Sequence, residues 1–237
     1  GRIDALLEGD GLFLRAQEVR PIADGALKPY YEILLGIEPQ PGMDAVPTSL
    51  VPAIERLGRS AELDLWVMRA VLDWVEAHPE AFGRIGGFAI NVSPLSLGSP
   101  EILRFLDERL ARPGVPAGKL TFELTETAAI DSYGAARDFI QRMRRHGCSV
   151  SLDDFGSGYA SYSHLKNLRT DSLKIDGAFV RDMLESPSDR AMVKSMHEVA
   201  RSLGIRTVAE YVESPAHLEA LREIGIDYAQ GYAIHKP

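Results

Sequence analysis

Seven side chains able to do chemistry stand at or beside the ends of short apolar runs: Glu32 in YYEILL, Asn91 in GFAIN, Glu123 in KLTFEL, Asp153 and Asp154 after CSVSL, Lys174 in SLKI and Glu210 in IRTVAE. All but the lysine offer oxygen, as carboxylate or amide. Carboxylates gathered around a single ammonium repel one another, because like charges ~4 Å apart cost several kcal/mol at intermediate dielectric. Cations relieve that repulsion, and an all-oxygen donor set suits a hard divalent ion such as Mg²⁺ or Mn²⁺ better than zinc. Adjacent acids such as Asp153 and Asp154 suit bridging of two ions about 3.5 to 4 Å apart, the device used for in-line attack on phosphodiesters. The chemistry indicated is metal-assisted hydrolysis of a phosphate ester. Taken singly, each residue also has an ordinary role: Asn91 in NVSP as a turn residue, Glu123 and Glu126 as strand-end carboxylates, Asp153-Asp154 as an Asp-rich turn, Lys174 as a snorkelling lysine. A purely structural domain has no need to place all of them together.

Their joint placement depends on the elements that carry them. From GFAIN onward, KLTFEL, CSVSL, SLKI, IRTVAE and DYAQGY recur at intervals of roughly 20 to 35 residues, the length of successive βα units. Ser99-Pro100 and Ser214-Pro215 each read as an N-cap followed by a first-turn proline, and Gly147, Gly204 and Gly225 fall where helices should stop. Apolar residues at helical spacing predict helices over 61–77, with Trp66 and Trp74 on a core-facing stripe, and over 188–203, with Met192, Val193, Met196, Val199, Ala200 and Leu203 on one face. Upstream, LFLRAQ and YYEILL are joined by VRPIADGALKP, too short for a crossover helix and rich in turn formers, which predicts a hairpin. Residues 39–52, PQPGMDAVPTSLVP, read as a long surface loop. Eight strands in this rhythm predict an α/β fold, a (β/α)8-type barrel with an irregular first unit, in one domain spanning 1–237. A doubly wound open sheet is the alternative, since strand count does not show closure.

Alternation along each strand then separates two faces. Leu120, Phe122 and Leu124 oppose Thr121 and Glu123; Val150 and Leu152 oppose Ser149, Ser151 and Asp153; Leu173 and Ile175 oppose Ser172, Lys174 and Asp176; Phe88, Ile90 and Val92 oppose Ala89 and Asn91. The polar face is read as the inner one, so the strand ends converge on a single mouth.

Composition narrows the partners. Among 237 residues, 34 acidic against 26 basic side chains give a net charge of −8. That surface repels a long nucleic acid, which needs a basic stripe to displace counterions. No run of apolar residues is long enough to span a bilayer, and the first twenty residues lack a signal-peptide layout, so no direct membrane insertion is expected of this segment. Cys148 is the sole cysteine, and the histidines form no HxH or HExxH pair, which argues against disulfides and zinc and for a reducing, cytoplasmic setting.

Read in order, the motifs resemble the EAL domain family of cyclic-di-GMP phosphodiesterases over essentially the whole chain. Glu32-Ile33-Leu34 stands at the signature Glu-Ala-Leu, Asn91-Val92-Ser93-Pro94 at N-x-S-P, and Glu123-Leu124-Thr125-Glu126 at E-x-T-E. Asp153-Asp154-Phe155-Gly156-Ser157-Gly158-Tyr159 is similar to D-D-F-G-T-G-Y, Lys174-Ile175-Asp176 to K-I-D, Glu210 and Glu213 to the acids of A-E-G-V-E, and Gln230-Gly231-Tyr232 to Q-G-Y. The resemblance implies a modified (β/α)8 TIM-like barrel with an antiparallel first strand. It implies two Mg²⁺ or Mn²⁺ ions per active site on Glu32, Asn91, Glu123, Asp153, Asp154 and Glu210, with cyclic di-GMP as substrate and linear pGpG as product. Lys174 is implied to orient the attacking water and Glu210 to act as or beside the general base. Gln17, Leu34 and Gln230 are implied to meet the substrate, the two glutamines near a guanine. Glu126 is implied to hold the loop after Asp154, which serves metal binding and dimer contacts, while Asp176 and Glu213 support the site. A homodimer, and GGDEF or sensor domains in a parent chain that is itself open to membrane anchoring, also follow from the resemblance; the start at Gly1 reads as an excised segment. Two positions depart from the family pattern. Gly36 stands where E-A-L-L-R has an arginine, losing a bidentate phosphate contact, and Tyr211 replaces the glycine of A-E-G-V-E, which is read as neutral. The alternatives to an active enzyme are a catalytically silent cyclic-di-GMP receptor and a dimerisation scaffold.

Overall fold

A computed structural model describes residues 2–8, 10–23, 25, 27–38, 50–157 and 162–237. Eight strands, β1 (Leu12–Pro21), β2 (Tyr30–Ile37), β3 (Phe88–Asn91), β4 (Leu120–Thr125), β5 (Ser149–Phe155), β6 (Ser172–Ile175), β7 (Arg206–Ala209) and β8 (Tyr228–Ala229), close into a barrel in sequence order. β1 runs antiparallel to both neighbours, β2 and β8, while all other pairs are parallel. Closure excludes the open sheet. The β1–β2 hairpin pairs Gln17 with Glu32, so this irregular first unit delivers two polar side chains to one barrel level.

Strand alternation explains where the core lies. Phe122, Leu124, Val150, Leu152, Leu173 and Ile175 are fully or almost fully buried in one apolar cluster with Met68 and Leu72 of the helix Ser60–Ala77, Phe139 and Met143 of Tyr133–Arg145, and Val193, Met196 and Ala200 of Pro187–Ser202. Each buried Leu, Val or Phe contributes roughly 1.5–3 kcal/mol. The main core is therefore the shell between strands and helices. A second, small cluster of Val19, Val208 and Tyr228, flanked by Leu27 and Tyr30, sits toward the strand starts of β2 and β8.

The caps hold as read: Ser99 Oγ accepts from Ile102 N and Ser214 Oγ from His217 N. Three local expectations change. The 39–52 loop is shorter than its prolines suggest, because a helix spans Leu50–Arg56. Pro52 fits its first turn, where an amide hydrogen has no intrahelical partner; residues 39–49 lie outside the described set. Met192 and Leu203 are exposed rather than packed, since the buried stripe of their helix is Val193, Met196 and Ala200. Trp74 is also 38% exposed, stacked on His78 and tilted against Phe88 at the edge of the core. Among the described residues, no helix is long and apolar enough to cross a membrane.

Candidate active site

At the C-terminal mouth of the barrel the polar strand face becomes a single charged cluster centred on Lys174. Its buried ammonium, 1% exposed, donates to Glu32 Oε2 at 3.0 Å and Glu123 Oε2 at 3.0 Å, and lies 2.9 Å from Glu210 Oε1 and 3.3 Å from Asp153 Oδ1. An ammonium has three protons, and four carboxylates surround it. Glu123 Oε1 is buried with no hydrogen-bond partner. A buried, unsatisfied carboxylate oxygen is costly unless a cation reaches it.

Hydrogen bonds orient the rest of the ring. Asn91 Nδ2 donates to Glu32 Oε1 at 2.7 Å, and Gln230 Nε2 donates to Glu32 Oε2 at 2.6 Å and to Gln17 Oε1 at 3.0 Å. Gln17 Nε2 in turn donates to the His235 carbonyl at 3.1 Å. Glu32, accepting from Asn91, Gln230 and Lys174, thus becomes the most heavily bonded acid of the mouth.

Strict alternation would send Asp153 and Asp154 to opposite faces. The β5–β6 register shifts between Leu152 and Phe155, and Asp154 adopts φ +54°. Such irregularities re-aim side chains next to functional sites, and a left-handed non-glycine residue costs about 1–3 kcal/mol. The result is two overlapping acid triads. Ligand oxygens of Glu32, Glu123 and Asp153 lie within 4.8 Å of one another, and so do those of Asp153, Asp154 and Glu210. Asp153 belongs to both.

Electrostatics follow from burial. Glu123 is pushed well above the usual carboxylate range by burial, with Lys174 opposing it. Burial likewise carries Glu210 up to about 7, countered by Lys174 and reinforced by Asp153. Burial also acts upward on Glu32, but Lys174, Gln230 and Asn91 outweigh it and its pKa falls below the ordinary value. Asp154 is raised by burial and by Asp153 beside it. Burial lowers Lys174, yet the four surrounding carboxylates win and its pKa rises well above the ordinary value. The mouth holds five carboxylates and one ammonium, so its donors, orphaned oxygen and surplus negative charge fit two divalent cations.

The other sequence-indicated residues take distinct positions. Glu126 Oε2, buried, accepts from Gly156 N at 2.7 Å, tying the start of the helix Glu126–Asp131 to the turn after Asp154; Gly158 to Ser161 lie outside the described residues. Asp176 caps the helix Gly177–Asp182, accepting from Ala178 N at 2.7 Å, and is not brought into the acid triads. Leu34 and Glu213 line the cavity of about 500 Å³ that opens above the cluster.

That cavity also exposes residues sequence reasoning missed. Arg15, Tyr211 and Tyr232 line it. Arg15 pairs across the hairpin with Leu34 and precedes Gln17 by two residues on the same strand face, a period-two signal that was available in LFLRAQ. Phe13 pairs with Gly36 and its ring lies over the glycine, so that a Cβ at Gly36 would clash with the ring unless Phe13 shifted. Tyr211 holds φ +53°, its ring fills the space beside Gly177, and Arg181 lies over it at 5.0 Å.

The chain is thus an eight-stranded barrel with one antiparallel strand and acids converging on its C-terminal mouth. The EAL domain family model matches residues 2–237, and the chain belongs to that family. It is 36% identical over 236 residues to the cyclic di-GMP phosphodiesterase PdeB of Shewanella oneidensis and 37% identical over 236 residues to PdeF of Escherichia coli, covering all of this chain in both cases. The chain spans 28% and 31% of the lengths of those two relatives. Among solved structures it is similar to the PaMucR phosphodiesterase in complex with c-di-GMP, with TM-score 0.89 and 26% identity over 99% of this chain and 95% of that one. It is also similar to the FimX EAL domain, with TM-score 0.91 and 25% identity over all of this chain and 94% of that one.

Proposed function

We propose that this chain is a metal-dependent phosphodiesterase that hydrolyses cyclic di-GMP to linear pGpG. The observation that carries the reading is the pair of overlapping acid triads sharing Asp153 within 4.8 Å. The relatives named as cyclic di-GMP phosphodiesterases support the substrate.

Glu32, Asn91, Glu123 and Asp153 would hold one Mg²⁺ or Mn²⁺, and Asp153, Asp154 and Glu210 the second. Two such ions supply an activated water and charge stabilisation at the phosphoryl oxygens. Lys174, with its raised pKa, stays protonated and orients the water and the acids around it. Glu210, whose pKa burial raises in the metal-free protein, would serve as or beside the proton acceptor of the attacking water. Gln17, Leu34 and Gln230 receive the dinucleotide, and the buried, unpartnered Gln230 Oε1 is the acceptor available to a guanine N–H. Arg15, the one arginine among the described residues that line this cavity, takes the phosphate contact that Gly36 cannot make. Glu126 and Asp176 fix the turns that follow β5 and β6, and Glu213 lines the entrance. The protein works as a homodimer in the cytoplasm, attached to GGDEF or sensor domains in a longer chain.

Glu210→Ala should lower turnover of cyclic di-GMP with Mn²⁺ by about 10²- to 10⁴-fold, the range for loss of a general base, while circular dichroism stays unchanged. An undiminished rate would remove Glu210 from that role. Binding of cyclic di-GMP by the unaltered protein without metal-dependent pGpG would favour a receptor instead.

A further inference from the structure

A cavity larger than the one above the acidic cluster lies away from that mouth. It opens at the N-terminal end of the barrel, holds about 820 Å³, and is walled by strand starts and the loops leading into them. That volume lies within the ~300–1,000 Å³ of small-molecule sites. Gly86, Gly87, Gly118 and Gly204 lie in its wall, so the rim loops carry little side-chain bulk that could fill it.

Its charge is opposite to that of the chain as a whole. Six basic residues line it against a single acid, Asp171, in a protein of net charge −8. Asp171 is already committed, accepting from Val150 N through one oxygen and pairing with Arg144 through the other. Lys119 spends its ammonium on the carbonyls of Phe82, Gly83 and Ile85. Lys28, Lys166, Arg169 and Arg206 make no ion pair among the described residues, and all four are exposed. Arg169 holds φ +55°, and its carbonyl accepts from Arg144, a strained residue of the kind found at ligand clamps. The buried Thr170 Oγ1 lines the same cavity and lacks a partner. Tyr30 and Tyr228, edge to face at 5.3 Å, also line it.

We propose that this N-terminal mouth binds a small polyphosphate-bearing anion of nucleoside polyphosphate size. Guanidinium and ammonium groups without carboxylate partners are the usual phosphate recognition set, and the tyrosines provide an apolar base for an aromatic ring. A long polyanion is disfavoured by the acidic remainder of the surface. Strands β2, β4, β5, β6 and β8 run from this cavity to the acidic mouth: Tyr30 precedes Glu32, Thr121 precedes Glu123, Ser149 precedes Asp153, Ser172 precedes Lys174 and Tyr228 precedes Gln230.

Calorimetric titration of the 237-residue chain with inorganic triphosphate and with ATP, in EDTA, tests this. One site per chain is expected, weakening at least tenfold in Lys166→Ala/Arg206→Ala and as salt rises from 50 to about 200 mM. Glu123→Gln should bind as the unaltered protein does, and Lys166→Ala/Arg206→Ala should keep its metal-dependent turnover. Lys166→Glu alone, a single exposed charge reversal, should weaken binding at least as much as Lys166→Ala. Absence of binding, indifference to the two basic substitutions, loss of binding in Glu123→Gln, or tighter binding of polyglutamate than of triphosphate would each overturn the proposal.

Discussion

The two mouths of this barrel are built from the same strands and carry opposite charge. At the C-terminal mouth the central charged groups, Glu32, Glu123, Asp153, Lys174 and Glu210, are buried, with Lys174 within 3.3 Å of four carboxylates. At the N-terminal mouth four basic side chains are exposed and have no acidic partner among the described residues. Charge count alone is therefore a poor guide to energetic consequence. Buried charges are coupled to folding through desolvation, so removing one disturbs all the others. Exposed charges are screened and nearly independent, and matter only to something that comes to meet them.

That contrast is broken most forcefully at Lys174. Lys174→Met leaves buried carboxylates without their cation, and the metal-free protein should lose about 3–5 kcal/mol of stability, the cost of stranding one partner of a buried ionic group. Chemical denaturation in EDTA measures it, and Mn²⁺ should restore part of the loss. A metal-free variant as stable as the parent would mean that the acids hold themselves protonated without the lysine.

The next effect is in pH. Burial sets Glu210 up to about 7, above its unfolded value of 4.5, so the folded state favours the protonated acid. That contribution to stability is complete below the unfolded pKa and is lost as pH rises through 7. In EDTA the melting temperature should fall between pH 5 and 8, with a change on the order of 3 kcal/mol as the upper bound for this shift. Mn²⁺ should raise the melting temperature more at pH 8 than at pH 5. A profile that is flat in EDTA, or a larger Mn²⁺ effect at pH 5, would contradict the assignment.

The smallest effect is at Arg15, the exposed cation that lines the acidic mouth. Arg15→Ala should raise KM for cyclic di-GMP about tenfold, or roughly 1.4 kcal/mol, with kcat within twofold and stability unchanged. A fall in kcat with KM intact would place Arg15 in the chemical step rather than in substrate capture.

Much of this was legible in the residues. Period-two alternation separated Glu123 from Phe122 and Lys174 from Leu173, because a strand has only two faces and the apolar one has somewhere to go. Ser99-Pro100 and Ser214-Pro215 marked real helix starts. The long loop over 39–52 did not survive at its end, since proline is compatible with a first helical turn as well as with a loop. Met192 and Leu203 satisfied a helical stripe yet lie exposed, because an apolar arc can be wider than the groove it packs into.

Read in order, the residues carried eight strands in a βα rhythm, the oxygen character of the acidic mouth and the family's motifs, which imply the barrel and its antiparallel first strand. These depend on local periodicity and on ordered motifs, which are properties of the chain read linearly. Only the tertiary structure decided that Asp154 turns back through a register shift to join Asp153, that Phe13 occupies the space of a side chain at 36, and that Arg15 enters the cavity. It also decided that basic residues between positions 28 and 206, dilute in an acidic chain, meet around one cavity. Closing a barrel brings together strand starts that are distant in sequence, and no linear pattern records which charges that closure will set face to face.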